Sequence, residues 1–253
     1  MTALRSLAYQ LLFLPWTLGL SLLYLPLLLG PRRLMQRAAA FWLKGALALQ
    51  AVVLGLRYEV RGREHLPRGA ALIAAKHQSA WDTMIFHQLL DDPAYVLKQE
   101  LLRLPFIGWY LRKAGMVAID RKAGIKALKW MVEGAQAAAA EGRQVVIFPE
   151  GHRAPAGQTG DYHSGVAALY AGLALPLVPV ALNSGLFWGR NAFLRHAGVI
   201  TLEFLPAIPP GLNRKLLMPE LEQRIENATR ALEAEALARH PSLPPLPAAG
   251  GAA

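Results

Sequence analysis

Residues 77 to 82 read HQSAWD, in which four residues separate a histidine from an aspartate directly after the apolar run 70–75. An imidazole that donates one ring proton to a carboxylate is fixed in the tautomer whose other nitrogen accepts a proton from a hydroxyl. Such a base contributes about 10²- to 10⁴-fold in rate. In a regular helix, a five-residue offset separates two side chains by about 140° around the axis. His77 and Asp82 therefore form a pair only where the backbone is irregular, as between a strand and a helix.

Each residue of this pair has a simpler interpretation. On residue type alone, His77 is a histidine that closes a strand. Asp82 follows Ser79 by three residues, which is the spacing of a capping box, so its carboxylate serves a helix N-terminus. The capping and catalytic roles of Asp82 are compatible with each other.

A second polar motif, FPEGHR at 148–153, follows the apolar run 144–148. Gly151 permits a tight turn, Arg153 supplies a forked cation suited to phosphate, and Glu150 orders either a cation or substrate hydroxyls. An ordinary turn after a strand is the alternative. If the two apolar runs are neighbouring strands, both motifs leave the sheet at the carboxyl-terminal edge, where ligands of open α/β sheets bind.

The motifs that the sequence lacks narrow the type of reaction. There is no cysteine, no G-x-S-x-G elbow, no phosphate-binding G-x-x-x-x-G-K-[ST] loop, no H-E-x-x-H and no G-x-G-x-x-G. Direct attack by a substrate hydroxyl is therefore favoured over a covalent acyl-enzyme. This favours a transferase that works through a ternary complex.

Short apolar runs that alternate with helical segments predict an α/β domain over residues 57–240. Strands are predicted at 57–62, 70–75, 94–98, 116–120, 144–148, 177–182 and 199–204. Helices are predicted at 79–90, 106–113, 124–142, 164–173 and 216–239. The Pro-, Ala- and Gly-rich tail, 241–253, is predicted to be disordered.

The first 56 residues predict an apolar helical hairpin. The 26 residues between Arg5 and Arg32 carry no charge. As a helix they are about 39 Å long, against a hydrocarbon core of about 30 Å. Prolines within the segment favour a kink that lets the hairpin enter and leave one leaflet. A signal peptide is the alternative, but the apolar run is long for one and no small-residue cleavage site follows it.

A net charge of +10 indicates anionic partners. Eight Lys or Arg residues lie between Lys98 and Lys129, with only Glu100 and Asp120 as acids. Some belong to a solvated helix face, and the others favour contact with anionic lipid or with donor phosphates. Nucleic acid is the alternative partner. No recognised nucleic-acid motif is present, and such a function leaves the hairpin unexplained, so no nucleic-acid partner is expected.

Four blocks together resemble the glycerolipid acyltransferase family, in particular its bacterial 1-acyl-sn-glycerol-3-phosphate acyltransferases. HQSAWD matches the family's H-x-x-x-x-D motif, and FPEGHR resembles F-P-E-G-T-R. GMVAIDR (115–121) and LPLVPVALNSG (175–185) are similar to the remaining two blocks. The hairpin is similar to the membrane-binding helices of bacterial members. The resemblance implies an α/β fold with a mixed sheet flanked by helices.

The resemblance implies that His77 deprotonates the 2-hydroxyl of a lysophosphatidate while Asp82 orients the imidazole. The hydroxyl then attacks an acyl thioester, either acyl-CoA or acyl carrier protein, and phosphatidate results. No metal and no further cofactor are implied. The expected location is the cytoplasmic face of the inner membrane.

The resemblance also implies a set of substrate-binding residues. Arg153 with Glu150 and Gly151 would hold the glycerol-phosphate head group. Arg121 would add positive charge to that pocket, and Pro179 would shape the acyl or thioester side.

Two features around the motifs concern the head group and the local charge. His152 stands where the family usually has threonine, which puts the preferred head group in doubt more than the chemistry. Another lysolipid acceptor, such as a lyso-ornithine lipid, therefore stays an alternative.

Lys76 adjoins the base and is expected to raise the local positive potential. A non-catalytic lipid-binding module is a further alternative, against which the intact HQSAWD speaks.

Overall fold

The computed structural model describes residues 1–120 and 124–246, except for the Ile125 side chain. The helices are α1 Thr2–Leu23, α2 Arg32–Leu49, α3 Ala80–Leu89, α4 Ile107–Lys113, α5 Ile125–Ala140, α6 Gly165–Leu173, α7 Ser184–Phe187 and α8 Arg214–Arg239. The strands are β1 Leu56–Arg61, β2 Ala71–Ala75, β3 Ala94–Lys98, β4 Val117–Ile119, β5 Gln144–Ile147, β6 Leu177–Leu182 and β7 Gly198–Phe204.

The seven strands form one mixed sheet in the order β1-β7-β6-β2-β5-β3-β4. Among the seven described strands, β6 and β7 are the one antiparallel pair, so β1 and β7 run opposite to the other five strands. Strand β2 pairs in parallel with both β5 and β6. The predicted α/β class with a mixed sheet is confirmed. Strands β2 and β5 are adjacent, which was the condition for both motifs to leave the sheet at one edge.

Two apolar layers cover the sheet. On one face, Ala71, Ile73 and Ala75 of β2 pack with Trp81 and Phe86 of α3. On the other face, Leu72 and Ala74 pack against side chains of α5, α6 and the first half of α8. All five residues of β2 are buried, which explains why its sequence is a continuous apolar run rather than an alternating one.

The hairpin is docked on the α/β domain through polar contacts of α2. Arg32 binds the Asp92 carboxylate at 2.6 Å and the Glu141 carboxylate at 2.6 Å. The Gln36 amide donates hydrogen bonds to the backbone carbonyls of Pro93 and Ala114. Helix α2 therefore has a fixed position over the domain rather than a flexible tether.

The outer face of the hairpin is apolar and exposed. Exposed leucines of α1 are Leu4, Leu7, Leu11, Leu12, Leu14, Leu18, Leu22 and Leu23. Helix α1 and the continuous segment Arg32–Leu54 are each long and apolar enough to cross a membrane, judged by length and composition. The predicted pair of N-terminal apolar helices is therefore present.

The predicted elements agree with the observed ones to within a few residues. Sequence patterns did not predict the 3₁₀ turn Gln99–Arg103, the short helix α7 or the π-helical end of the hairpin, Gln50–Leu54. Of the tail predicted to be disordered, Leu243 is buried and Leu246 packs against the core. Residues 247–253 lie outside the described residues.

Candidate active site

The structure brings His77 and Asp82 together where β2 gives way to α3. His77 Nδ1 lies 3.1 Å from Asp82 Oδ2. Residues 76–79 are neither strand nor helix, and α3 begins at Ala80, so the backbone between the two residues is irregular as predicted. A carboxylate only accepts hydrogen bonds, so Nδ1 carries the proton and Nε2 is the basic nitrogen.

Asp82 is held in place by four donors. Its Oδ2 accepts the backbone N–H groups of Gln78 at 2.6 Å and Ser79 at 2.7 Å, in addition to the imidazole. Its Oδ1 accepts the Ser184 hydroxyl at 2.5 Å. The Ser79–Asp82 capping box is present. Asp82 therefore caps α3 and orients His77 at once, and its position in the first helical turn stabilises the negative charge.

The imidazole of His77 stacks on the Phe148 ring with the centroids 4.3 Å apart. Phe148 is the first residue of FPEGHR, so the second motif supports one side of the base. Nε2 makes no hydrogen bond with any residue in the described ranges, and His77 lines a cavity of about 1060 Å³. The basic nitrogen is therefore available to a ligand in that cavity.

Glu150 is fully buried and does not line this cavity. Its Oε1 binds Lys76 Nζ at 2.7 Å, and its Oε2 accepts the backbone N–H of His77 at 2.9 Å. The resemblance implied a contact of Glu150 with the head group, but in this structure both carboxylate oxygens bind groups of the protein. Glu150 instead positions the backbone of the base.

Lys76 is also completely buried, between two carboxylates. Besides Glu150, its Nζ contacts Glu226 Oε1 at 2.8 Å and donates to the Gln158 carbonyl at 3.0 Å. These three bonds use all three protons of the ammonium group. Lys76 was expected to raise the positive potential beside the base, but its charge is balanced by these carboxylates.

Helix α8 supplies two buried carboxylates that the sequence analysis did not connect with the site. Glu226 and Glu233 are seven residues apart, so they lie on one face of the helix. Glu233 accepts the Gln78 amide at 2.7 Å and the Gly157 N–H at 3.0 Å. Burial raises the pKa of Glu233 above its ordinary value, and these two hydrogen bonds oppose the shift. Helix α8 therefore contacts the first motif at Gln78 and the segment after the second motif at Gly157.

The loop after β5 turns at Gly151, whose φ of 65° lies in the left-handed region that favours glycine. His152 Nδ1 lies 2.8 Å from the Glu150 carbonyl. Because a carbonyl only accepts, Nδ1 donates, and only Nε2 remains for a ligand. A neutral His152 therefore offers an acceptor where threonine would offer a hydroxyl donor.

The cavity has a polar wall and an apolar wall. The polar wall contains His77, Gly151, His152, Arg153, His163, Arg190 and Asn191. Lys98 lines the cavity at the end of β3. The apolar wall comes from α3, β3, α4 and α5, with side chains such as Met84, Val96, Leu111, Leu128 and Met131. Among the described lining residues there is no carboxylate. A ligand with an anionic head and an apolar chain matches this division.

The two other residues implied by the resemblance are Pro179 and Arg121. Pro179 is buried in β6 beside Ala74 of β2 and does not line the cavity. It lies within the sheet that holds the motif loops. Arg121 lies outside the described residues.

A second histidine, His87 of α3, also lines the cavity. Burial lowers the pKa of His87 to about 4, and the nearby Asp92 carboxylate only partly opposes this. His87 is therefore neutral near pH 7. Its Nδ1 has no hydrogen-bond partner among the described residues.

Comparisons with known proteins agree with this geometry. A family model described as Acyltransferase matches residues 57–183. The chain is 38% identical over 185 residues to the 1-acyl-sn-glycerol-3-phosphate acyltransferase of Pseudomonas aeruginosa. The aligned region covers 73% of this chain and 72% of that protein. It is 26% identical over 182 residues to the protein of the same name from Borreliella burgdorferi, covering 68% and 70%.

The fold is shared with a solved structure, the 1-acyl-sn-glycerophosphate (LPA) acyltransferase PlsC from Thermotoga maritima. The TM-score is 0.76 at 20% identity, over 92% of this chain and 98% of that chain. The sheet, its flanking helices and the two N-terminal apolar helices define an acyltransferase fold. The chain belongs to the acyltransferase family.

Proposed function

We propose that this enzyme transfers an acyl chain from an acyl thioester to the sn-2 hydroxyl of 1-acyl-glycerol-3-phosphate and so forms phosphatidic acid. The observation that carries the proposal is the His77–Asp82 pair, whose free Nε2 faces a cavity with unpaired cations and an apolar wall. The names of the relatives from Pseudomonas aeruginosa and Borreliella burgdorferi support the acceptor.

In the proposed reaction, Nε2 of His77 accepts the proton of the acceptor hydroxyl. The oxygen forms a bond to the thioester carbonyl carbon, and Asp82 stabilises the imidazolium that results. Collapse of the tetrahedral intermediate breaks the C–S bond. The departing thiolate takes the proton from His77, so the enzyme returns to its starting state.

Arg153 is proposed to bind the phosphate of the acceptor, since a guanidinium matches phosphate oxygens with two parallel hydrogen bonds. Arg153 lines the cavity and makes no ion pair with a carboxylate in the described part of the chain. The acyl chain is proposed to lie along the apolar wall. Acyl-CoA and acyl carrier protein are both anionic donors, and the cations suit either.

The exposed leucines of α1 support attachment to a membrane, and the net charge of +10 favours an anionic leaflet. The proposed location is the cytoplasmic face of the inner membrane. There the hairpin would hold the cavity near a lysolipid that never leaves the bilayer.

Transfer of a radiolabelled acyl chain from acyl-CoA to lysophosphatidate by the detergent-purified full chain tests this function. Labelled phosphatidic acid is expected from the wild type, and His77→Ala should reduce turnover by about 10²- to 10⁴-fold. His65→Ala is a matched control, because His65 follows β1 at the opposite edge of the sheet. Turnover of His77→Ala equal to that of the wild type would refute the mechanism.

The acceptor is tested separately, because His152 occupies the position of the family's threonine. A panel of lysophosphatidate, lyso-ornithine lipid and monoacylglycerol is expected to show the highest kcat/KM for lysophosphatidate. A higher value for the lyso-ornithine lipid would keep the chemistry and change the assigned acceptor.

A further inference from the structure

Among the residues that the structure describes, three cations line the cavity: Lys98, Arg153 and Arg190. None of them forms an ion pair with any carboxylate in the described ranges, whereas Arg32, Arg61 and Arg143 each bind at least one. No described lining residue is acidic, so these charges are not balanced within the cavity. The cavity therefore offers more than one cation to an anionic ligand.

Arg190 belongs to neither of the two polar motifs. It lies in the loop 189–194, which follows α7 and approaches the cavity from the side of β6. Its neighbour Asn191 also lines the cavity and has a φ of 55°. Arg190 therefore reaches the polar wall from a different element than Arg153, which follows β5.

The far end of this loop is fastened to the hairpin by Arg195. The guanidinium of Arg195 lies over the Trp188 ring at 4.3 Å and the Tyr9 ring at 5.0 Å. Its backbone N–H donates to Ser6 Oγ at 2.9 Å, and its Nη2 donates to Gln10 Oε1 at 3.1 Å. Since Trp188 and Arg195 are both buried, the loop is held at both ends.

Between these ends the loop exposes an apolar tip. Phe193 is 51% exposed and Leu194 is 43% exposed. They directly precede Arg195, which hydrogen-bonds to Ser6 and Gln10 of α1, and this part of α1 exposes Leu4, Leu7 and Leu11. The tip thus continues the apolar surface of the hairpin, while Arg190, three residues before Phe193, faces the cavity.

We infer that Arg190 is a second phosphate-binding residue, which binds the phosphate of the membrane-held acceptor as it enters from the lipid surface. This inference rests on the proposed function. The acceptor keeps its phosphate at the level of the lipid head groups, where a cation beside an apolar, hairpin-linked tip would lie. The soluble donor enters from water, so its phosphates would use the other cations of the cavity.

Arg190→Ala tests the inference in mixed micelles with lysophosphatidate and acyl-CoA. Loss of a charged hydrogen bond is worth at least about tenfold in affinity, so the KM for lysophosphatidate should rise at least about tenfold while the KM for acyl-CoA changes less than about twofold. With monoacylglycerol, which lacks the phosphate, the loss in kcat/KM should fall below about twofold. Arg190→Lys should recover part of the affinity.

Arg63→Ala is the matched control, since Arg63 is exposed after β1 at the opposite edge of the sheet. Thermal midpoints of both variants should equal that of the wild type, because Arg190 is exposed as well. An unchanged KM for lysophosphatidate in Arg190→Ala would overturn the inference, as would an equal loss with monoacylglycerol or a rise confined to the KM for acyl-CoA.

The two proposals fail in different ways. A wild type that does not acylate lysophosphatidate overturns the proposed function and this inference together. A wild type that does, with an Arg190→Ala variant that matches it, overturns this inference alone.

Discussion

Glu150 Oε2 accepts the backbone N–H of His77 at 2.9 Å, so the carboxylate of the second motif fixes the main chain of the base in the first. The backbone carbonyl of His77 in turn accepts the N–H of Ala154 at 2.8 Å. The two motif loops are therefore joined through both polar backbone groups of one residue. The orientation of the imidazole depends on Asp82, whereas the position of its backbone depends on Glu150.

Replacing Asp82 by Asn should lower kcat by about 10²- to 10⁴-fold, because a neutral amide neither selects the correct tautomer nor stabilises the imidazolium. Ser184→Ala should lower kcat less, since it removes only the hydroxyl that donates to Asp82 Oδ1. Steady-state rates with lysophosphatidate and acyl-CoA measure both effects. The assignment of Asp82 fails if the Asn variant keeps more than half of the wild-type kcat.

Lys76→Met should destabilise the protein by about 3–5 kcal/mol, because it leaves the buried Glu150 and Glu226 carboxylates without their cation. Thermal unfolding in detergent, followed by tryptophan fluorescence, measures the shift of the midpoint. Adding Glu226→Gln to Lys76→Met should recover part of the loss, since one uncompensated charge disappears. Lys129→Met is the control, because Lys129 is exposed and pairs with Glu133 only at 3.9 Å. Equal midpoints for Lys76→Met and the control would contradict this account.

The stability of the protein should fall with acid partly through His87. Its folded pKa of about 4 lies below the ordinary value of 6.5, so the unfolded state binds the proton first as the pH falls. The stability that His87 contributes is present above pH 6.5 and is lost as the pH falls towards 4. His87→Gln removes this titration, so its thermal midpoint should decline less than that of the wild type between pH 6.5 and pH 4. Parallel declines of the two proteins would show that His87 titrates normally.

Membrane attachment should depend on the outer face of α1. Leu11→Glu together with Leu18→Glu places two charges on side chains that are 63% and 62% exposed. Co-sedimentation with anionic vesicles should drop strongly, because a charge within the apolar layer costs several kcal/mol, while turnover in detergent should persist. Leu216→Glu is a control at the start of α8, which packs on the other sheet face. Unchanged sedimentation of the double variant would remove the hairpin as the anchor.

Local patterns in the sequence were sufficient to predict the strands that hold the site. Strand β2 is apolar throughout because both faces of the sheet are covered, and that burial is visible as a continuous apolar run. The spacing of His77 and Asp82 and the glycine at 151 are local as well. The pairing of β2 with β5 was only a condition of the sequence argument, and the structure supplied it.

The contacts that only the tertiary structure decided join residues far apart in the chain. Glu226 and Glu233 appear in the sequence as polar positions of an acidic and basic helix, yet α8 turns that face towards Lys76 and Gln78. Pro179 appeared to belong to the site because its block does, and its strand instead lies buried within the sheet.

The sequence by itself determined the type of fold, the hairpin and the chemical pair, because each depends on residue types within one short segment. Only the tertiary structure decided which buried carboxylates bind Lys76, Gln78 and the backbone of His77. That choice depends on how closely α8 approaches the motif loops. A charge is buried or exposed according to its neighbours in space, and these neighbours are 74 or more positions away along the chain for Lys76 and its two carboxylates.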